Sequence, residues 1–358
     1  MKSNTQMRHC FIVLYNLTRD MEICKELEEQ RRNFISLLRR NPVPHSSLDL
    51  ALETLQFLRK VVIYEKELLA VLTSHGRWIC AMEPTELVIR NVVMMVTKLA
   101  RDENFRLIMG EPISAFDSLN KLWMKNEDKY GAVGGKKLKK GLLQAINEVV
   151  SEMTLSCDNI SSRASDLINP QDVLIVHHLI DSSNWSTSLN PIKTTRKHRV
   201  MSVVCKNDFD ITSEIATPIQ LCDVGIKMCE ATKVLLSGVA VFPDGSCLVP
   251  AGGLSICLSA QRHTVPVYVL AAFYKITPLF VPDDVMININ KAPGLPFSYS
   301  ASFCGLVEVV RPMYDIIPAS LVTLYISNSA SILPSHVYRL IGDYYHPEDV
   351  AESQDLSS

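Results

Sequence analysis

The stretch "VLLSGVAVFPDGSCLVPAGGLSICLSAQRHTVPVYVLAAF" (234–273) contains two apolar runs with a helix-like segment between them. The runs "VLLSGVAVF" (234–242) and "VPVYVLAAF" (265–273) are rich in Val and lack strict alternation, as is typical of strands buried on both faces. The segment "AGGLSICLSAQRH" (251–263) fits a crossover helix. A strand, a helix and a second strand in this order predict a parallel sheet.

Three further apolar runs precede this unit and have the same composition: "VLIVHHL" (173–179), "VMSVVCK" (200–206) and "IQLCD" (219–223). Together they predict an α/β fold in which residues 169–350 form a Rossmann-like parallel-sheet domain flanked by helices. The crossovers after 179 and after 206 are weak helix candidates, because Pro191 and Pro218 interrupt them.

Residues 1–168 have helical periodicity and predict an N-terminal all-helical domain of five to seven helices. Ser46 precedes a run of leucines at helical spacing and is followed three residues later by Asp49, which is the pattern of a capping box. The segments "PTELVIRNVVMMVTKLARDE" (84–103) and "KLKKGLLQAINEVVSEM" (137–153) are amphipathic. The last residues, 351–358, are expected to form a disordered tail.

The composition of the chain argues against several classes of protein. The 358 residues carry a formal net charge of −2, which gives no overall attraction to nucleic acid. None of the ten cysteines forms a Cys-x-x-Cys pair and none has zinc-finger spacing with histidine, so reduced thiols in the cytosol are expected. No apolar run reaches the roughly 18 residues of a membrane span, and the N-terminus lacks the pattern of a signal peptide.

Candidate site residues lie where parallel strands end, because ligands collect at that edge of an open sheet. His177 and His178 follow one strand, but neighbouring strand residues point to opposite faces and do not readily share a metal. No metal or cofactor is therefore expected, although one of the two histidines could line a cleft or an interface. The stretch 238–253 offers backbone amides near a helix N-terminus that could hold an anion, but it offers no charged side chain there.

Two other stretches have a simpler interpretation. "GAVGGKK" (131–137) lacks the spacing of a nucleotide-binding loop and follows no strand, so it is interpreted as a linker into a basic helical turn. Asp283 and Asp284 lie in a loop that begins with a proline and are expected to face water.

The segment "PMYDIIPASLVTLYISNSASILPSHVYRLIGDYYHPEDV" (312–350) closely resembles the C-terminus of a family of translation factors, the alpha, beta and delta regulatory subunits of eukaryotic initiation factor two B. The likeness is greatest to the beta type. Blocks that include "GRWICAMEPTELVIRNVV" (76–93) and "ATKVLLSGVAVFPDGS" (231–246) also resemble the family, and they occur in the family's order. The chain departs from the family in the segment 207–222, where it lacks about ten residues of a crossover helix.

The family shares its fold with sugar-phosphate isomerases such as methylthioribose-phosphate isomerase. The resemblance places the isomerases' cysteine near His178 and their aspartate at Ala240, and their Asn-Lys-x-Gly-Thr block becomes "VPAGG" (249–253) without the lysine. It thus implies an active site that has lost its chemistry and keeps its shape. An active sugar-phosphate isomerase is the alternative, and a two-domain scaffold unrelated to translation is a third interpretation.

The resemblance implies a non-catalytic regulatory subunit of the guanine-nucleotide exchange factor that recycles initiation factor two from its GDP to its GTP form. Such a subunit would pair with the delta subunit and assemble with the alpha, gamma and epsilon subunits. Its helical domain would bind the alpha subunit of initiation factor two and sense the phosphorylation of that subunit. No contact with nucleic acid or membrane is implied.

The residues expected to bind partners come from both domains: Arg77, Arg90, His178, Tyr325, Asn328 and Tyr338. Lys98 is a further basic candidate beside Arg77 and Arg90, because arginine and lysine are the side chains that best hold a phosphoserine. The apolar residues Tyr325, Ile326, Leu333, Val337 and Tyr338 fit either an interface patch or ordinary core, and the sequence does not separate the two.

Overall fold

A computed structural model describes residues 25–39, 46–64, 68–82, 86–109, 135–178, 199–204, 216–280, 310 and 312–350. Some predictions lie wholly or partly outside these residues: the form of the N-terminal segment, the linker 131–137, the interruption at Pro191, the shortened segment 207–222, the Asp283–Asp284 loop and the tail 351–358.

The N-terminal part of the chain is helical, as predicted. Its five described helices are α1 (Lys25–Arg39), α2 (Ser47–Tyr64), α3 (Leu68–Met82), α4 (Leu87–Met109) and α5 (Gly135–Leu167). The predicted capping box begins α2: Asp49 N donates to Ser46 Oγ at 3.1 Å, and Ser46 N donates to Asp49 Oδ2 at 3.2 Å.

The second part of the chain is a seven-stranded sheet in the order β3-β2-β1-β4-β7-β9-β10, in which only the β9–β10 pair is antiparallel. The strands are β1 (Val173–His177), β2 (Arg199–Val204), β3 (Thr217–Gln220), β4 (Lys233–Ser237), β7 (Val267–Leu270), β9 (Leu324–Ile326) and β10 (Ser331–Ile332). This is the predicted Rossmann-like arrangement, with the order reversing between β1 and β4.

A second, three-stranded sheet was not predicted. It consists of β5 (Ala240–Val241), β6 (Cys247–Pro250) and β8 (Tyr314–Ile317), with β6 in the middle. The run 234–242, interpreted above as one strand, is divided at Gly238, where an added Cβ would lie 3.0 Å from Val269 Cγ1 and 3.2 Å from Leu270 O. The chain leaves the large sheet at that crowded point and enters the small one.

The large sheet is covered on both faces. Leu174, Val176 and Leu235 point to one face and share a continuous apolar core with α5 and the other N-terminal helices. On the opposite face, Ile175 and Leu236 pack with three further helices, α6 (Val224–Lys227), α7 (Gly253–Arg262) and α8 (Val337–Tyr344). This alternation along the strands explains why their sequences are apolar throughout.

Polar contacts also join the helical layer to the sheet. Asn91 Nδ2 on α4 donates to Tyr274 O at 3.0 Å, and Arg163 Nε on α5 donates to Asn328 O at 3.1 Å. In the parts of the chain that the structure describes, no helix combines the length and the apolar character needed to cross a membrane.

Candidate functional site: the crevice where the strand order reverses

The carboxyl ends of β1 and β4 mark the position at which open parallel sheets usually bind ligands. His177 and His178 lie at the end of β1, and Ser237 and Gly238 lie at the end of β4. The N-terminus of α7 faces the same region, because a Cβ added to Gly252 would lie 3.5 Å from His177 Nε2. These elements define what is called here the switch-point crevice.

The two histidines occupy different environments, because β1 ends at His177 and His178 lies beyond it. His177 is completely buried, whereas His178 is half-buried and has a φ of 54°, a left-handed conformation that is uncommon for residues other than glycine. The two rings meet edge to face with their centroids 4.4 Å apart. His178 therefore remains at the margin of the crevice, and His177 forms its inner wall.

Burial makes His177 a neutral group. It lowers the pKa of His177 to about 3, and the neighbouring His178 contributes to the same shift. Neither Nδ1 nor Nε2 of His177 has a hydrogen-bond partner among the described residues. His177 is therefore neutral at physiological pH and could accept or donate one hydrogen bond, but it carries no charge to stabilise an anion.

The glycines that start α7 have a structural explanation. Gly252 has a φ of +99°, and a Cβ there would also lie 3.2 Å from Leu221 Cδ2. At Gly253 an added Cβ would lie 2.3 Å from Val249 Cγ2. These two positions thus require glycine for the turn and for close packing, whether or not a ligand binds.

The amides at the start of α7 are bound from within the chain. Asp315, on β8, accepts hydrogen bonds through Oδ2 from Gly252 N at 2.8 Å and from Leu254 N at 3.1 Å. A carboxylate at this end of a helix is favourable because it faces the positive end of the helix dipole. Asp315 thus takes two of the amides that the sequence suggested for an external anion, and its negative charge disfavours a second anion nearby.

The position at which the resemblance places the isomerases' aspartate is apolar here. Ala240 lies on β5, fully buried in a small core with Phe242 and Leu248. No group at this position can exchange a proton. Among the described residues, no cluster of His, Cys, Asp and Glu side chains could hold a metal ion.

The basic residues predicted to meet a partner lie in the helical layer. Arg77 is exposed on α3. Arg90 is half-buried on α4 and is hydrogen-bonded to the Cys80 thiol, whose pKa burial raises to about 11 although the nearby guanidinium opposes the shift. Lys98 Nζ donates to the backbone oxygen of Asp343, so its ammonium holds the C-terminal segment. Of the three, Arg77 is the most exposed.

Tyr325 and Asn328 do not lie on the surface of this chain, which corrects the expectation that they face a partner directly. The Tyr325 hydroxyl donates to Gly245 O at 2.7 Å. Asn328 Nδ2 donates to Glu152 Oε1 at 2.8 Å, and its Oδ1 accepts from Phe273 N at 3.2 Å. Both side chains are buried and fasten the end of β9 to neighbouring elements.

The five apolar residues of the C-terminal segment divide between core and surface. Tyr325, Ile326 and Val337 are buried, whereas 48% of Leu333 and 69% of Tyr338 are exposed. Leu333 directly follows β10, the edge strand of the sheet, and Tyr338 lies in the first turn of α8. Leu333 and Tyr338 are called the edge patch below.

The sequence did not reveal two polar contacts of this region. Asp315 caps a helix that lies about sixty residues earlier in the chain, and only the pairing of β6 with β8 brings the two together. Lys275 is completely buried, donates to Gly238 O at 2.8 Å and has its pKa lowered to about 8 by burial. A lysine among the apolar residues of "AAFYKITPLF" (271–280) was the available signal of a buried ammonium.

Comparison with known proteins agrees with this architecture. Residues 216–334 match the initiation factor 2 subunit family. The chain is similar to translation initiation factor eIF2B subunit beta of Dictyostelium discoideum, with 25% identity over 61% of this chain and 58% of the relative, so this match spans less than two thirds of that relative's length. It is also similar to eIF2B subunit beta of Schizosaccharomyces pombe, with 21% identity over 84% of this chain and 91% of the relative.

Solved structures share the fold. The crystal structure of eIF2B beta from Chaetomium thermophilum has a TM-score of 0.67 at 21% identity and covers 94% of this chain and 96% of its own. A chain of the tetrameric eIF2B-beta2-delta2 complex from C. thermophilum has a TM-score of 0.66 at 21% identity and covers 89% of this chain and 95% of its own. Residues 216–334 therefore match the initiation factor 2 subunit family within a fold that these two structures share.

Proposed function

We propose that this chain is a non-catalytic regulatory subunit of a guanine-nucleotide exchange factor that returns initiation factor two from its GDP to its GTP form in the cytosol. The observation that carries the proposal is the similarity to a protein named eIF2B subunit beta over 84% of this chain and 91% of that relative. The alpha, gamma, delta and epsilon subunits of the same factor are its proposed partners.

The switch-point crevice supports a role without catalysis of its own. His177 is neutral and enclosed, Asp315 is engaged with the start of α7, and Ala240 provides no acid. General acid–base catalysis needs a group that exchanges protons in contact with a substrate, and none of these three residues supplies one. Turnover of an aldose phosphate to its ketose isomer by the purified chain would contradict this part of the proposal.

Direct pairing with a delta-type subunit is the proposed route into the complex, and the edge patch is the proposed contact. One of the solved structures that share this fold is that of a tetrameric eIF2B-beta2-delta2 complex. Exposed Leu333 directly follows the last strand of the sheet, and exposed Tyr338 lies in the first turn of α8. Large exposed apolar side chains are typical of surfaces that become buried in a complex.

Co-expression tests the pairing. The tagged full chain is produced with a delta-type subunit from the same source, and the purified complex is weighed by native mass spectrometry. The unaltered chain is expected to retain the delta-type subunit, whereas the combined change Leu333→Ser and Tyr338→Ser is expected to weaken retention about tenfold or more, as hot-spot residues do. Tyr64→Ser is the matched control, because Tyr64 is an exposed tyrosine on α2, away from the edge patch.

The outcomes of this test separate two failures. If the unaltered chain does not retain the delta-type subunit, the pairing itself is wrong. If it does and the edge-patch variant retains it equally well, pairing stands and the edge patch is not the contact.

Sensing of the phosphorylated alpha subunit of initiation factor two is proposed for the helical layer, with Arg77 as the basic residue to test. A phosphoserine is held best by arginine, and Arg77 is exposed on α3. In the assembled complex, Arg77→Glu is expected to weaken binding of the phosphorylated partner by about tenfold and to change binding of the unmodified partner much less.

Arg59→Glu makes the same charge change on the exposed side of α2 and is the matched control. Binding is measured by titrating a labelled partner in both phosphorylation states. Equal loss of both states with Arg77→Glu, or equal effects of the two variants, would show that Arg77 does not read the phosphate.

A further inference from the structure

The six described cysteines fall into two groups. Burial raises the pKa of four of their thiols, which disfavours the nucleophilic thiolate: Cys80, Cys157, Cys247 and Cys257. The other two, Cys222 and Cys229, are exposed at opposite ends of α6. They have the same access to small reagents but different neighbours.

Cys229 contacts an imidazole. Its Sγ lies 3.8 Å from His263 Nδ1 and 4.0 Å from His263 Nε2, although the two residues are 34 positions apart in the chain. Cys222 instead has Sγ 3.5 Å from Gln220 Oε1 and 3.8 Å from Asp223 Oδ1. An imidazole can take a proton from a thiol, whereas the carboxylate beside Cys222 opposes a second negative charge on the sulfur.

His263 lies at the end of α7, as the C-cap residue of that helix. Its backbone N donates to Ser259 O and Ala260 O, and the next residue, Thr264, has a φ of 55°, which is rare for a β-branched residue. The turn that presents the ring to Cys229 is thus fixed by the end of the helix.

Basic side chains also pair with the residue that follows Cys229 in the chain. The next residue, Glu230, pairs with Arg199 at 2.8 Å and with Lys227 at 3.2 Å. The acid adjacent to Cys229 is therefore engaged with two cations, which reduces the repulsion that it would exert on a thiolate.

We propose that Cys229 and His263 form a modification site at which hydrogen peroxide oxidises the thiol. His263 takes the proton of the Cys229 thiol, and the thiolate sulfur attacks one peroxide oxygen. An S–O bond forms, the O–O bond breaks, and the leaving hydroxide takes the proton from His263 and departs as water. The sulfur loses two electrons and becomes a sulfenic acid, and the peroxide is reduced by the same two electrons.

The experiment compares two thiols within one chain. The reduced full-length protein is treated with hydrogen peroxide in the presence of dimedone, which traps sulfenic acids, and adducts are quantified for each cysteine by peptide mass spectrometry. Cys229 is expected to be labelled about tenfold faster than Cys222. His263→Gln is expected to bring the two rates to within about twofold, with the rate at Cys222 unchanged.

The unaltered protein alone can overturn the proposal, since equal labelling of Cys229 and Cys222 would show that the imidazole does not activate the thiol. A preference for Cys229 that persists in His263→Gln would assign the reactivity to other neighbours and would also overturn it. Both residues are exposed, so the variant is expected to fold, and its far-ultraviolet circular dichroism serves as the control. The test uses the isolated chain and does not depend on the proposed function.

Discussion

At the scale of single residues, the sequence predicted which element a residue lies on better than it predicted which groups surround its side chain. It placed His177 and His178 at the end of a parallel strand, which is confirmed, but β1 ends at His177 and the two rings are in contact, so the expectation that they point to opposite faces is wrong. It did not predict that His177 would have no hydrogen-bond partner among the described residues, because that depends on Gly252 and Leu221, which approach from distant positions in the chain. It also did not predict that Asn328 would be enclosed, since Glu152 and Phe273 meet it only in the folded chain.

The buried histidine predicts how stability depends on pH. In the folded chain the pKa of His177 is about 3, whereas the ordinary value is 6.5. Between these values the unfolded chain binds one more proton than the folded chain, so the free energy of unfolding falls as the pH is lowered below 6.5. The expected slope is about 1.4 kcal/mol per pH unit from this residue. His75, whose pKa burial and Arg31 lower to about 4, adds a second contribution of the same sign.

Urea unfolding at about pH 7.5 and about pH 5.5 measures this loss, which for His177 alone is expected to total about 1.4 kcal/mol between the two pH values. His177→Leu removes the titrating group and is expected to flatten the dependence by its share. A slope that is the same in His177→Leu and in the unaltered chain would show that His177 does not remain neutral on folding.

At the scale of helices and strands, the sequence predicted those elements that interactions between neighbouring residues determine. The box of Ser46 and Asp49 starts α2 as predicted, and the run 251–263 contains α7. The run 234–242 was interpreted wrongly as one strand, because only the packing of Gly238 against Val269 divides it. β6 was hidden in a stretch rich in glycine and proline, and its pairing with β8 joins residues more than sixty positions apart.

That distant pairing predicts how α7 responds to a change on β8. Asp315→Ala leaves Gly252 N and Leu254 N without their acceptor and removes a negative charge from the start of the helix. The free energy of unfolding is expected to fall by about 1–2 kcal/mol, as for the loss of a helix cap. Hydrogen exchange at the amides of residues 252–254 is expected to become faster.

Asp166→Ala is the matched control, because Asp166 is exposed near the end of α5. It is expected to change stability by less than about 0.5 kcal/mol. Equal effects of the two variants, measured by urea unfolding, would show that water replaces the Asp315 carboxylate at no cost.

At the scale of the whole molecule, the helical layer and the sheet are parts of one folded body. A single apolar core extends from Leu27 on α1, through α5 and one face of the sheet, to Tyr345. Residues after α8 return to the helical layer, where Arg101 on α4 pairs with Glu348 at 2.7 Å and with Asp349 at 2.9 Å. The C-terminal segment that carries part of the edge patch is therefore anchored to the helices that carry Arg77, and this arrangement offers a physical link between the two proposed partner surfaces.

Arg101→Ala tests that anchor. The Asp349 side chain is only 6% exposed, so the variant leaves a carboxylate in a poorly solvated position without the cation that compensates it. Breaking such a pair from one side is expected to cost about 2–3 kcal/mol and to speed hydrogen exchange throughout residues 337–350. Arg106→Ala is the matched control on the same helix, because Arg106 is exposed and pairs with Glu103 of its own helix, and it is expected to change stability much less. If the two variants lose the same stability and exchange in 337–350 is unchanged, the ion pairs of Arg101 do not hold the C-terminal segment against the helical layer.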